Sequence, residues 1–261
     1  MMNMISEKAH VAPGAQIGQN VTIMPFAYVE SDVIIGDGCT IYPYASIMSG
    51  TRMGSNNNVH QNAVLGASPQ DFGWKGGNSE LIIGDGNVFR ENVVVSRAST
   101  ADQPTSIGHS NILMEGVHVS HNCQVGSHNI FGYGVKIGCD CELGDHIIFS
   151  TGVVAKPRCR VGSYAFILSG CRFGEDVPPY ITAKNNPIEY AGIHGGVLTH
   201  FGFSERTQRH LANAYRLVFN SRVSLFDAIN QIEEQVPDEP EIREVVEFLR
   251  SAETLITKQV D

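Results

Sequence analysis

The chain carries no basic surplus: 18 Lys and Arg against 27 Asp and Glu give a formal net charge of −9. A non-specific nucleic-acid binder is normally basic, so no nucleic-acid partner is expected. An acidic partner has only local basic patches to dock on. No apolar run approaches the roughly 18 residues needed to span a bilayer, which predicts no stable membrane insertion. The N-terminus, Met1 to Glu7, lacks the basic segment and apolar core of a signal peptide, so the cytoplasm is the expected compartment. No two of the six cysteines stand in CxxC spacing. Cys139 and Cys141 are only two apart, a poor spacing for a zinc knuckle, and neither a metal nor a cofactor is expected. Hydrophobic content of 42% and charged content of 17% are an ordinary globular balance.

A period of six fills most of the chain. Every sixth residue from Ile5 is apolar through Val11, Ile17, Ile23, Val29, Ile35, Ile41, Ile47, Met53, Val59 and Leu65. The register resumes at Ile83, Phe89 and Val95, and again from Ile107 through Val119, Phe131, Ile137 and Phe149 to Phe173. Chance agreement over all these places is on the order of 10⁻¹⁰. A period of six is neither 3.6 nor 2. It fits a short strand and a turn with one inward apolar residue per strand, three hexads making a triangular coil. The prediction is a parallel β-helix over residues 1–180, about nine coils and roughly 40 Å long. Gly often follows the inward residue, as in Ile35-Gly36 and Ile137-Gly138, which places small, permissive residues near the corners.

The fifth place of each hexad holds small or β-branched residues such as Val21, Ala27, Val117 and Val135. Cys39, Cys123, Cys141, Cys159 and Cys171 share it, and read as small buried thiols. Insertions at about 66–82 and 101–106 interrupt the register. Loops thrown out of a solenoid often line a binding face, and the longer one carries the only tryptophan, Trp74. Pro178-Pro179 is expected to end the coils. Helical patterning follows in 181–261: Ser204 can cap a helix bearing Leu211, Tyr215 and Val218, and Ser224 with Asp227 resembles a capping box. A last stripe runs Ile242, Val245, Val246, Leu249, Ala252 and Ile256. These helices are expected to cover an open coil edge or to pack between subunits.

Chemistry concentrates at Gly116-Val117-His118-Val119-Ser120-His121-Asn122-Cys123. His118 and His121 flank an inward valine and so project outward. One coil later places Cys139 over His121 and Asp140 over Asn122. A histidine beside a carboxylate of the adjacent coil fits a general base. The competing reading makes His118 and His121 two ligands of a metal shared between subunits.

These segments, with the Gln70-Asp71 loop, Phe89-Arg90-Glu91-Asn92-Val93, Asp176-Val177-Pro178-Pro179-Tyr180 and Gly202-Phe203-Ser204, resemble the UDP-N-acetylglucosamine O-acyltransferases that begin lipid A synthesis. The resemblance spans nearly the whole chain. It implies a mainly β fold, a left-handed parallel β-helix with an α-helical C-terminal domain. It also implies a homotrimer with sites between subunits, an acyl donor on acyl carrier protein, and a nucleotide-sugar acceptor. His121 falls on the family's catalytic histidine, and the Cys139 backbone N–H on its oxyanion donor. The resemblance further implies catalytic support from Asn122 and Asp140. Substrate contacts are implied from Gln70, Asp71, His118, Lys156, Ser169, His194 and His200. Ser169 matches a position whose bulk limits acyl length. Outward Lys136, Arg158, Arg160 and Arg172 are candidate carrier contacts.

The departures are specific. Asn122 stands where the family usually has aspartate, and Asp140 where it commonly has histidine. Lys156-Pro157 replaces a His-Gln pair, and Ser96 a histidine. His194, Gly196, His200 and Phe201 replace nucleotide-binding Asn, Glu and paired Arg residues. Three alternatives therefore stand beside acylation of UDP-N-acetylglucosamine: a paralogue acylating another sugar nucleotide, a non-catalytic trimeric scaffold, and a metal-dependent hydratase on the same fold.

Overall fold

The computed structural model describes residues 2–220 and 223–258. The hexads become strands of two to four residues, distributed in strict rotation over three parallel sheets. Each strand pairs with the one a coil later, Met4 with Thr22 and Ile5 with Ile23, an offset of 18 residues. The offset widens to 30 between Asn58 and Val88 and to 24 between Val88 and Ile112. The insertions therefore bulge out of an unbroken ladder. They occupy residues 68–80 and 97–104. The second ends earlier than the hexad break suggests, because Thr105–Ile107 is already a strand.

From Ile23 to Phe173 every inward hexad residue is buried. Ile5, in the first coil, has no coil beneath it and is 43% exposed. Phe131 and Phe149 stack at 5.1 Å on the axis. The five fifth-place cysteines are buried, as their register predicts. A feature absent from the apolar reading shares their place. Asn57, Asn87, Asn111 and Asn129 are fully buried and form a ladder. Each Oδ1 accepts the backbone N–H of the next rung, ending at Ile147, and each side-chain amide reaches a glycine carbonyl. Buried amides are tolerated only when satisfied in this way.

Corners are made by residues in the left-handed region. One column runs Asn20, Gly38, Asn56, Gly86, Ser110, His128, His146, Tyr164 and Tyr180. The glycines that follow the inward residues serve otherwise. At Gly36 and Gly138 φ is ordinary, but an added Cβ would lie 2.5 Å from Gly54 carbon and from Pro157 nitrogen of the next coil. Close approach of neighbouring coils, not turn conformation, selects glycine there.

The ladder does not stop at Pro178-Pro179. Both prolines lie at a corner, and Ile181–Lys184 adds a further parallel strand against Phe166-Ile167. The chain returns antiparallel through Glu189–Ile193, which also pairs Thr257-Lys258. Among the described residues four helices follow this turn: α1 (Gly195–His200), α2 (Glu205–Val218), α3 (Leu225–Gln235) and α4 (Pro240–Ser251). Ser204 and Ser224 cap α2 and α3 as predicted, and Pro240 opens α4. Ile242, Val245, Val246 and Leu249 form the buried stripe of α4; Ala252 and Ile256 lie beyond its end, Ile256 still buried. The helices close the last coils. Tyr215 donates its hydroxyl to the Pro179 carbonyl, and the Arg160 guanidinium lies 4.6 Å from the Phe248 ring centroid while donating to Ser251.

Candidate active site

The prism has one corner unlike the others. Both insertions leave where the nine-stranded sheet turns into the eight-stranded one, after Val64–Ala67 and after Val94–Ser96. In the next coil the same corner carries His121 and Asn122, between His118-Val119 and Gln124-Val125. Two loops and the candidate base therefore share one edge. The longer loop is held by Arg97, whose guanidinium sits 5.4 Å from the Trp74 ring centroid while donating to Ser49 carbonyl. Gln70 and Asp71 are exposed on that loop, Asp71 turning one oxygen to the Gly73 N–H.

His121 is only 6% exposed. Its Nδ1 is buried and makes no hydrogen bond among the described residues, so Nε2 is the nitrogen left to face a reactant. One coil on, the Asp140 N–H donates to the His121 carbonyl at 3.1 Å, which fixes the stacking that the 18-residue spacing predicts. The Cys139 N–H donates to no backbone carbonyl among the described residues. Its thiol is pushed up to about 11, by burial first and then by Asp140, and is no nucleophile at neutral pH. His118 lies on the strand between Val94 and Lys136. Burial, then the Lys136 charge, lowers its pKa, so it is neutral at pH 7.

Asn122 and Asp140 do not orient the imidazole directly, as a carboxylate beside the base would. They bond to each other: Asn122 Nδ2 donates to Asp140 Oδ1 at 3.0 Å. Asn122 Oδ1 accepts the Ser99 N–H at 2.9 Å, and the Asn122 N–H donates to Thr105 Oγ1 at 2.8 Å. Ser99 escaped the sequence reading because the 97–104 loop has no register to place it.

Other candidates lie farther off. Lys156 is exposed at the same corner, a coil beyond Gly138, its chain passing Gly174. Ser169 is at the neighbouring corner, its hydroxyl 2.8 Å from that of Ser150. It continues a column through Tyr133 and Thr151, which line a groove of about 400 Å³ with Arg90 and Met114. His194 caps α1 through Nδ1 and packs edge-on against Phe166, on the sheet opposite the His121 corner. His200 is exposed at the end of α1. A single chain therefore does not bring His194 and His200 to His121. Among the basic candidates, Lys136 donates to the Gly116 carbonyl and Arg160 is bound to α4. Arg158 and Arg172 are exposed and unpaired among the described residues. Among those residues no three His, Cys, Asp or Glu side chains converge as a metal site.

Known proteins resemble this chain over nearly its whole length. Residues 176–257 match the second domain of UDP N-acetylglucosamine O-acyltransferases, and residues 14–47 and 32–67 match bacterial transferase hexapeptide repeats. The acyl-[acyl-carrier-protein]–UDP-N-acetylglucosamine O-acyltransferase of Chlorobaculum parvum is 46% identical over 96% of this chain and 95% of its own. That of Halorhodospira halophila is 36% identical over 97% and 98%. The crystal structure of a UDP-N-acetylglucosamine acyltransferase from Bacteroides fragilis superposes with a TM-score of 0.95 at 41% identity, covering 98% of this chain and all of the other. With this fold and with likeness over nearly its whole length, the chain belongs to the acyl-[acyl-carrier-protein]–UDP-N-acetylglucosamine O-acyltransferase family.

Proposed function

We propose that the protein transfers a 3-hydroxyacyl chain from acyl carrier protein to a sugar hydroxyl of UDP-N-acetylglucosamine, the first step of lipid A synthesis, as a homotrimer. The observation that carries this reading is the nearly buried His121, with the Cys139 N–H one coil away, on the corner from which both loops emerge. His121 Nε2 takes the proton of the sugar hydroxyl, whose oxygen attacks the thioester carbonyl. The negative tetrahedral oxygen receives the Cys139 N–H, which a fixed coil holds without reorganisation. Collapse breaks the carbon–sulfur bond, and the imidazolium returns its proton to the departing thiolate. His118, neutral beside Lys136, is a substrate contact rather than a second base. The trimer gives His194 and His200 their part in binding. Away from that corner within one chain, they would act at the His121 corner of a neighbouring copy.

His121→Ala tests the mechanism. Acyl transfer should fall by about 10²–10⁴-fold, and His118→Ala should cost less. Full activity in the His121 variant would remove the base from the account.

A further inference from the structure

We propose that Asn122 and Asp140 are a matched amide–carboxylate pair, positioning residues that lock the His121 turn and the 97–104 loop in place, and that the pair admits one carboxylate only. The proposal rests on the acyltransferase reading for its catalytic readout, but the pairing stands on geometry alone.

The orientation of the Asn122 amide is fixed by its neighbours. The Ser99 N–H can only donate, so the atom 2.9 Å from it is the oxygen. The opposite atom, Nδ2, then faces Asp140 Oδ1 at 3.0 Å, and Ser99 Oγ at 3.1 Å. The Asn122 N–H is bound to Thr105 Oγ1, and the Asp140 N–H to the His121 carbonyl. The Asn122 side chain thus ties the 97–104 loop, at Ser99, to the next coil, at Asp140, while its backbone N–H holds Thr105 just past the loop, and it adjoins His121 in sequence. Asn122 has φ 61°, and Asp140 directly above it φ 59°. Asn and Asp both tolerate this conformation. The backbone therefore accepts either residue at either position, and the hydrogen bonding decides between them.

A second carboxylate changes the outcome. In Asn122→Asp the new oxygen would stand about 3 Å from Asp140 Oδ1 in place of a donor. Two carboxylates at that distance do not both ionise without moving apart. They either share a proton, raising one pKa, or splay and pull the turn and loop with them. Exchanging the two residues, Asn122→Asp with Asp140→Asn, restores one amide and one carboxylate across the same gap.

The test compares kcat and KM of the parent, N122D, D140N and N122D/D140N, each folded as judged by its melting curve, from pH 5.5 to 8.5. Each variant is compared with the parent at the same pH. N122D should lose roughly 10–100-fold in kcat at pH 8, with a deficit that narrows as the pH falls and the pair takes up a proton. The double variant should recover to within about threefold of the parent. Melting temperatures carry the same test without turnover: N122D should be less stable relative to the parent at pH 8 than at pH 5.5, and the double variant should not. Should the parent fail to transfer acyl groups, the proposed function falls and the melting curves alone decide on the pair. A pH-independent N122D deficit in both kcat and melting temperature, or a double variant no better than N122D, overturns the proposal.

Discussion

Removing one rung of the asparagine ladder should destabilise the prism more than removing a surface amide. Asn87 Oδ1 accepts both the backbone N–H and the side-chain amide of Asn111, at 2.8 and 3.0 Å. Its own amide donates to Asn57 Oδ1 and to the Gly108 carbonyl, at 3.0 and 2.9 Å. In Asn87→Ala, Asn111 keeps its bond to the Gly126 carbonyl, and Asn57 Oδ1 keeps the backbone N–H of residue 87. The Asn111 N–H and the Gly108 carbonyl each lose a partner. At about 1–3 kcal/mol for each buried group left unsatisfied, plus the void, the cost is about 3–6 kcal/mol. That corresponds to roughly 6–20 °C of melting temperature for a chain this size. Asn87→Asp sharpens the test. Its second oxygen would face two acceptors and must keep its proton, so the folded-state pKa rises above the unfolded value. Its stability is retained below the usual carboxylate pKa and lost as pH rises through the raised one. Differential scanning calorimetry at pH 5 and pH 8 reads both effects. A loss below about 1 kcal/mol for Asn87→Ala, or an Asn87→Asp protein equally stable at both pH values, would refute the ladder as a source of stability.

Charge reversal at Arg158 or Arg172, both exposed and unpaired among the described residues, should raise KM for a carrier-linked donor, more so at low salt; an unchanged KM moves the dock elsewhere. Ser169→Met, at the end of the Tyr133–Thr151 column, should shift preference toward shorter acyl donors, and an enzyme that uses only acetyl groups contradicts the groove reading. Burial and Lys136 depress the His118 pKa below 6.5, so the unfolded state binds a proton that the folded state does not. Stability should therefore fall as pH drops through 6.5 toward the folded-state value, and His118→Gln should flatten that slope in urea titrations.

The coils were legible because each hexad obeys one local rule. The inward residue must be apolar and the fifth small, which places Phe131 on the axis and Cys141 at an interior corner without reference to distant sequence. The 18-residue rise likewise put Cys139 and Asp140 over His121 and Asn122. Side-chain direction could not be read this way. Asn122 turns toward Ser99 and Asp140 rather than toward the imidazole, and this depends on a loop outside the register. The asparagine ladder left a clear signal, an Asn in the fifth place of four hexads, but it is polar and escapes a search for apolar periodicity. Pro178-Pro179 misled for a related reason: proline forbids a ladder bond only where the ladder needs its N–H, and a corner does not. Arg160 reads from sequence as a free surface cation because α4, 91 residues on to Ser251, cannot be placed by a repeat.

The central claim is acyl transfer to a nucleotide sugar, and direct turnover tests it best. The purified protein is mixed with 3-hydroxyacyl-acyl carrier protein and UDP-N-acetylglucosamine, and the nucleotide sugars are resolved by mass spectrometry. A product heavier by one 3-hydroxyacyl group in ester linkage is expected, formed by the parent and reduced about 10²–10⁴-fold in His121→Ala. An unmodified acceptor after prolonged incubation with an intact donor would contradict it.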